Sequence, residues 1–117
     1  MEITDNHFHL DPAGKKELAV KEFLRAGGTR LVLVHKPYSS WKKVEDFKKQ
    51  VETTIKLSKR ARDTGAQVAV VAAPHPVQFV KLLEHYDNNH ASNIYLEAVD
   101  FCINLVEEKV TVGLGEL

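Results

Sequence analysis

The sequence predicts an α/β fold of parallel (β/α) units with four strands. Three features lead to this reading. Short runs that are apolar almost throughout alternate with longer segments whose apolar residues recur every three or four positions, as buried strands alternate with amphipathic helices. Glycine or proline closes nearly every run. Titratable residues collect where strands end and helices begin, while the strand bodies stay apolar. Four such strands make either half of an eight-stranded barrel or a small open sheet.

The first strand covers Ile3 to Pro12. Side chains alternate across a strand, which places Ile3, Asp5, His7 and His9 on one face and Asn6 and Phe8 on the other. Two imidazoles two residues apart can point at one small cation. Asp5, one step below, can accept a proton from an imidazole N–H or sit near the metal. Residues 14–27 carry Leu18, Val20, Phe23 and Leu24 at helical spacing, stopped by Gly27-Gly28. Arg30 to Lys36 is a second strand, closed by Pro37. Ser39 or Ser40 caps a long helix that reaches about Thr64, with Trp41, Val44, Phe47, Val51 and Ile55 on its packing stripe and Gly65 as its C-cap. Gln67 to Ala73 is the third strand, ended by Pro74-His75-Pro76, and Pro76 starts a helix over 76–86. Asp87 to His90 reads as a polar loop and 92–108 as a further helix. Lys109 to Leu117 reads as the fourth strand.

Composition narrows the function classes. Sixteen basic and sixteen acidic residues give a formal net charge of zero, so no global field draws the chain to nucleic acid or an anionic membrane. The lysines and arginines between Lys42 and Arg62 alternate with acids, as on a solvated helix face. The one cysteine, Cys102, excludes an internal disulfide and fits a small core residue. No apolar run approaches the roughly 20 residues of a membrane span, and no signal peptide is visible at the start, so the expected location is the cytoplasm and no membrane partner is expected. The length suits a single domain, 1–117.

At the strand ends, His7 and His9 with Glu116 provide two imidazoles and a carboxylate, a sufficient donor set for Zn, Mn or Fe with positions left open for water. His35, Lys36 and His75 fall at the same edge and are candidate contacts for an anionic substrate. His85 and His90 lie on or after a helix, away from that edge, and read as solvated; Trp41 and Phe47 read as packing.

Asp5-Asn6-His7-Phe8-His9-Leu10 resembles the opening Asp-x-His-x-His of the TatD-type metal-dependent hydrolases of the amidohydrolase superfamily. Gly113-Leu114-Gly115-Glu116 resembles that family's Gly-x-Gly-Glu segment, and Ala72-Ala73-Pro74-His75-Pro76 is similar to its Gly-x-His-Pro region, without the glycine. The resemblance implies a (β/α)8 TIM barrel, of which this chain is the N-terminal half, with one or two divalent ions (Zn, Mn or Mg) at its mouth. It implies His7, His9 and Glu116 as metal ligands, Glu116 as the catalytic carboxylate, and Asp5 as an outer-shell partner. It also implies hydrolysis by metal-activated water, of the DNase-like kind, with nucleic acid or another phosphodiester as substrate.

The family's later histidines and aspartate have no counterpart before Leu117. The chain alone is therefore expected to be inactive. An uncovered fourth strand implies either self-association or a missing C-terminal half. Two other readings stay open: a non-catalytic half-barrel module that self-associates, and another amidohydrolase-type C–N or ester hydrolase.

Overall fold

The computed structural model describes residues 1–117. Three strands and four helices follow one another as β1 (Thr4–Phe8), α1 (Glu17–Arg25), β2 (Arg30–Val34), α2 (Val44–Asp63), β3 (Gln67–Val71), α3 (Pro76–Leu83) and α4 (Asn88–Glu107). The strands are parallel and ordered β1-β2-β3. β2 and β3 pair without interruption from Arg30 opposite Gln67 to Val34 opposite Val71.

The predicted fourth strand does not form. The fold is a three-stranded α/β sheet with four helices, and not four strands of a half TIM barrel. The backbone explains why. Lys109 turns into the left-handed region (φ 61), and the N–H groups of Val110 and Thr111 both donate back to Leu105 O at the end of α4. Only Val112 and Gly113 remain to meet β3. Val112 N–H donates to Val70 O at 2.8 Å, and Val71 pairs with Gly113 in a single parallel bridge. Residues 114–117 make no backbone hydrogen bond. The alternating apolar residues of this stretch suggested burial, but Val112, Leu114 and Leu117 are exposed.

β1 also departs from simple alternation. Asp5 pairs with Leu31 and Phe8 with Leu33, so three residues of β1 span two of β2. Such a bulge places Asp5 and Phe8 on the same face. The predicted grouping of Asp5 with His7 and His9 is thus broken between Asp5 and His7. Phe8 packs against Phe23 of α1, with ring centroids 5.7 Å apart.

One face of the sheet is covered. Leu31, Leu33 and Val70 meet Val20 of α1 and Leu57 and Ala61 of α2 in one buried cluster. Each fully buried leucine there contributes roughly 1.5–3 kcal/mol. A second cluster joins α2 to α3 and α4 through Trp41, Phe47, Val51, Leu82, Ala98 and Cys102, in keeping with the packing roles expected of Trp41, Phe47 and Cys102. Gly28 has a packing reason to be glycine: a Cβ there would lie 2.2 Å from the Phe23 ring. Gly27 and Gly65 both take φ 105 just after α1 and α2, the conformation their capping positions require.

Some boundaries move. Lys43, without a side-chain cap, precedes α2, whereas Ser39 accepts a hydrogen bond from Gln50. Asp87 is the N-cap of α4, accepting from His90 N–H at 2.7 Å, so Asn88 to His90 form its first turn and not a loop. His75 caps α3 with Pro76 in the first turn, as the sequence indicated for the proline.

Candidate metal centre

His7 is the penultimate residue of β1 and His9 lies just beyond its end; both are exposed. Their Nε2 atoms stand 3.1 Å apart. His9 Nδ1 lies 2.8 Å from Val34 O, and a carbonyl can only accept, so Nδ1 carries the hydrogen and Nε2 presents a lone pair. The neighbouring strand's backbone thereby fixes the ring's tautomer and aim, as the outer partner of a metal-binding histidine does. Two imidazole nitrogens at 3.1 Å repel unless a proton or cation stands between them.

Glu116 reaches this pair from the other side of the sheet. Its Oε1 is 3.7 Å from His7 Nε2, and its Oε2 is 3.7 Å from His75 Nε2. In a flat sheet, three strand spacings would put β1 and the segment beside β3 about 14 Å apart. The contact between His7 and Glu116 therefore requires side chains that converge over a concave face. One ligand atom each from His7, His9 and Glu116 falls within 4.8 Å of the others.

These residues fit a divalent cation. Nitrogen ligands of one ion at about 2.0–2.1 Å are separated by roughly 2.9–3.4 Å for right-angled to tetrahedral geometry, which brackets the His7–His9 distance. An oxygen ligand at about 2.0–2.2 Å sits a similar distance, roughly 2.9–3.5 Å, from each nitrogen in that geometry, so the 4.8 Å spread must close by about 1.3–1.9 Å, a movement open to a glutamate in a segment without backbone hydrogen bonds. The donor set of two imidazoles and a carboxylate suits Zn or another first-row ion better than Mg, which prefers oxygen ligands.

The other candidates lie elsewhere. Asp5 Oδ1 accepts from His7 N–H at 2.9 Å, so its carboxylate braces the bulge and is not one of the three clustered ligand groups. His35 is 3% exposed, edge-on to Tyr38 and Phe47, with Nδ1 2.7 Å from Thr54 Oγ1. Burial, and secondarily repulsion from His9, lowers its pKa to about 4, so it is neutral at pH 7 and offers an anion no charge. Lys36 Nζ sits 3.2 Å from Asp11 Oδ2, so its charge is already met. Asp11 is held below the usual carboxylate range by Ala13 N–H and then by Lys36. His75 does reach the site, beside Glu116. His85, just past the end of α3, and His90, in the first turn of α4, are both exposed.

Sequence reading did not find Val34 O, Thr54, Tyr38 or the Asp11–Lys36 pair. A backbone carbonyl has no residue signature. Asp11, three residues before Gly14 and two after His9, carried the only available cue.

Comparison with protein-family models, curated proteins and solved structures finds no match to this chain.

Proposed function

We propose that this chain carries the metal-binding residues of a metal-dependent hydrolase of TatD type, directed at a phosphodiester such as DNA, and that by itself it does not turn substrate over. The observation that carries the reading is the convergence of His7, His9 and Glu116 within 4.8 Å, from opposite ends of the chain. The motif resemblance around His7, His9 and Glu116 supports the choice of reaction class. A divalent ion, if held by these residues, would supply Lewis-acid activation of water and of the bond under attack. His9 presents its Nε2 lone pair because Val34 O holds the proton at Nδ1. His7 would supply the second nitrogen in the tautomer that carries its hydrogen on Nδ1. Glu116 would supply an anionic oxygen that offsets part of such a cation's charge. A cytoplasmic location belongs to the same proposal, supported by the free, buried Cys102. No helix is long and apolar enough to cross a membrane.

The test is metal content. The double variant His7→Ala/His9→Ala should lose bound divalent metal, measured by elemental analysis after dialysis against Zn2+ or Mn2+. Stoichiometry equal to wild type would end the assignment.

A second reading, a non-catalytic module that self-associates, draws on the exposed Val112, Leu114 and Leu117 in a stretch with little backbone pairing. Sedimentation at micromolar concentration separates the two: a compact monomer that binds metal leaves only the first.

A further inference from the structure

Glu116 is the weakest-anchored member of the metal cluster. Residues 114–117 make no backbone hydrogen bond, and the only side-chain partners of Glu116 are His7 and His75. His75 is the opposite case. Its backbone is pinned from both directions: Pro74 O accepts from Tyr95 OH of α4 at 2.6 Å, and His75 O accepts from Gln78 N–H at 2.9 Å. Pro74 itself is fully buried. The His75 ring is fixed as well, because Nδ1 accepts from Val77 N–H at 3.2 Å as the N-cap of α3.

That cap decides what the ring can do. A nitrogen that accepts from an amide N–H must present a lone pair, so in neutral His75 the hydrogen resides on Nε2. Nε2 faces Glu116 Oε2, on the carboxylate edge opposite the one that faces His7. For His75 to bind metal through Nε2, its hydrogen would have to move to Nδ1 and confront the Val77 N–H donor. Two donors would then meet at 3.2 Å and the cap of α3 would be lost.

The geometry points to His75 as a positioning residue: its Nε2–H holds Glu116 Oε2, aims Oε1 at the His7–His9 pair, and is not itself a metal ligand. This rests on the metal-centre reading above and deepens it, since it fixes how the carboxylate is presented: through one oxygen, to one ion. The 3.7 Å separation is long for a hydrogen bond and closes as the carboxylate settles between donor and cation.

The test uses Co2+ as the probe on the full chain, with wild type, H75A, H75N and the double variant H7A/H9A. The shorter amide side chain in H75N keeps an N-cap oxygen for Val77 N–H but stops short of Glu116, so this variant preserves the cap and withdraws the donor. H75N should melt close to wild type and bind Co2+ about 10–100-fold more weakly, the usual loss when an outer partner of a metal ligand is removed. X-ray absorption should fit two imidazoles on cobalt in both wild type and H75N. Three imidazoles in wild type would make His75 a ligand and overturn the inference. So would Co2+ affinity in H75N equal to wild type, whether H75A is weakened, which leaves only a capping role, or not. If affinity survives in H75N but vanishes in H7A/H9A, the metal centre stands and only the role of His75 falls. If wild type binds no Co2+, both fall together.

Discussion

His9 and His35 sit one strand apart at the same end of the sheet, and each has Nδ1 close to an oxygen, yet one ring is exposed and the other enclosed. His35 follows Leu33 by two residues and turns to the face covered by α2, where Phe47, Tyr38 and Thr54 enclose it. His9 follows the bulge of β1, stays exposed, and turns Nε2 toward His7. Side-chain parity, more than chemical type, separates a structural histidine from a candidate ligand. The covered face determines whether the chain folds. The open face, with few packing duties, is free to carry chemistry.

The contrast can be broken most severely from the covered side. Phe47→Ala removes a ring that is 1% exposed and touches His35, Trp41 and Phe101, and should cost about 3–5 kcal/mol in urea denaturation. A smaller loss would mean that the α2 cluster can collapse around the gap. Next is pH. The folded pKa of His35, about 4, lies below its ordinary 6.5, so the unfolded chain binds the extra proton between these values. Stability should fall as pH drops from about 6.5 to about 4, with about 3 kcal/mol of that loss belonging to His35. Chemical denaturation of wild type and His35→Gln across this window isolates the share, since the variant lacks it. Parallel curves would show that His35 does not titrate as its burial demands.

Gly28→Ala should cost about 1–3 kcal/mol, because the new methyl overlaps the Phe23 ring and α1 must shift; thermal melting checks this. At the small end, His7→Ala/His9→Ala should change metal-free stability by less than about 0.5 kcal/mol, as exposed positions do. A large loss would move these histidines into the structural class with His35. Cys102 offers an independent gauge of the covered side. Its thiol is 1% exposed and its pKa is pushed up to about 12 by burial, so labelling by a thiol reagent at a fixed pH should require global unfolding.

What the sequence revealed follows this division. The helices were legible because burial on one face writes a period into the chain, as with Trp41, Phe47, Val51 and Leu57 along α2, and β2 and β3 were legible as short apolar runs, with Leu31, Leu33 and Val70 buried. His7, His9 and Glu116 were legible as a set because their residue types and strand-end placement are unusual together. The last strand was misread because Val110, Val112, Leu114 and Leu117 mimic a buried run, and pattern alone does not reveal that nothing covers them. Face assignment in β1 failed at the bulge, since an extra residue between Asp5 and Phe8 leaves no mark in composition. The seclusion of His35 depended on Tyr38 and Thr54, a contact across 19 residues that periodicity does not encode.

The bond from His9 Nδ1 to Val34 O has one more implication. It makes the ring's bearing a property of how two neighbouring strands are aligned, so the site inherits its accuracy from the sheet's own lattice. The turn from Pro12 to Lys16 could be lengthened at little expense to that bearing, while sliding β1 by a single residue against β2 would swing the imidazole away from its oxygen and blunt the centre with every ligand residue still in place.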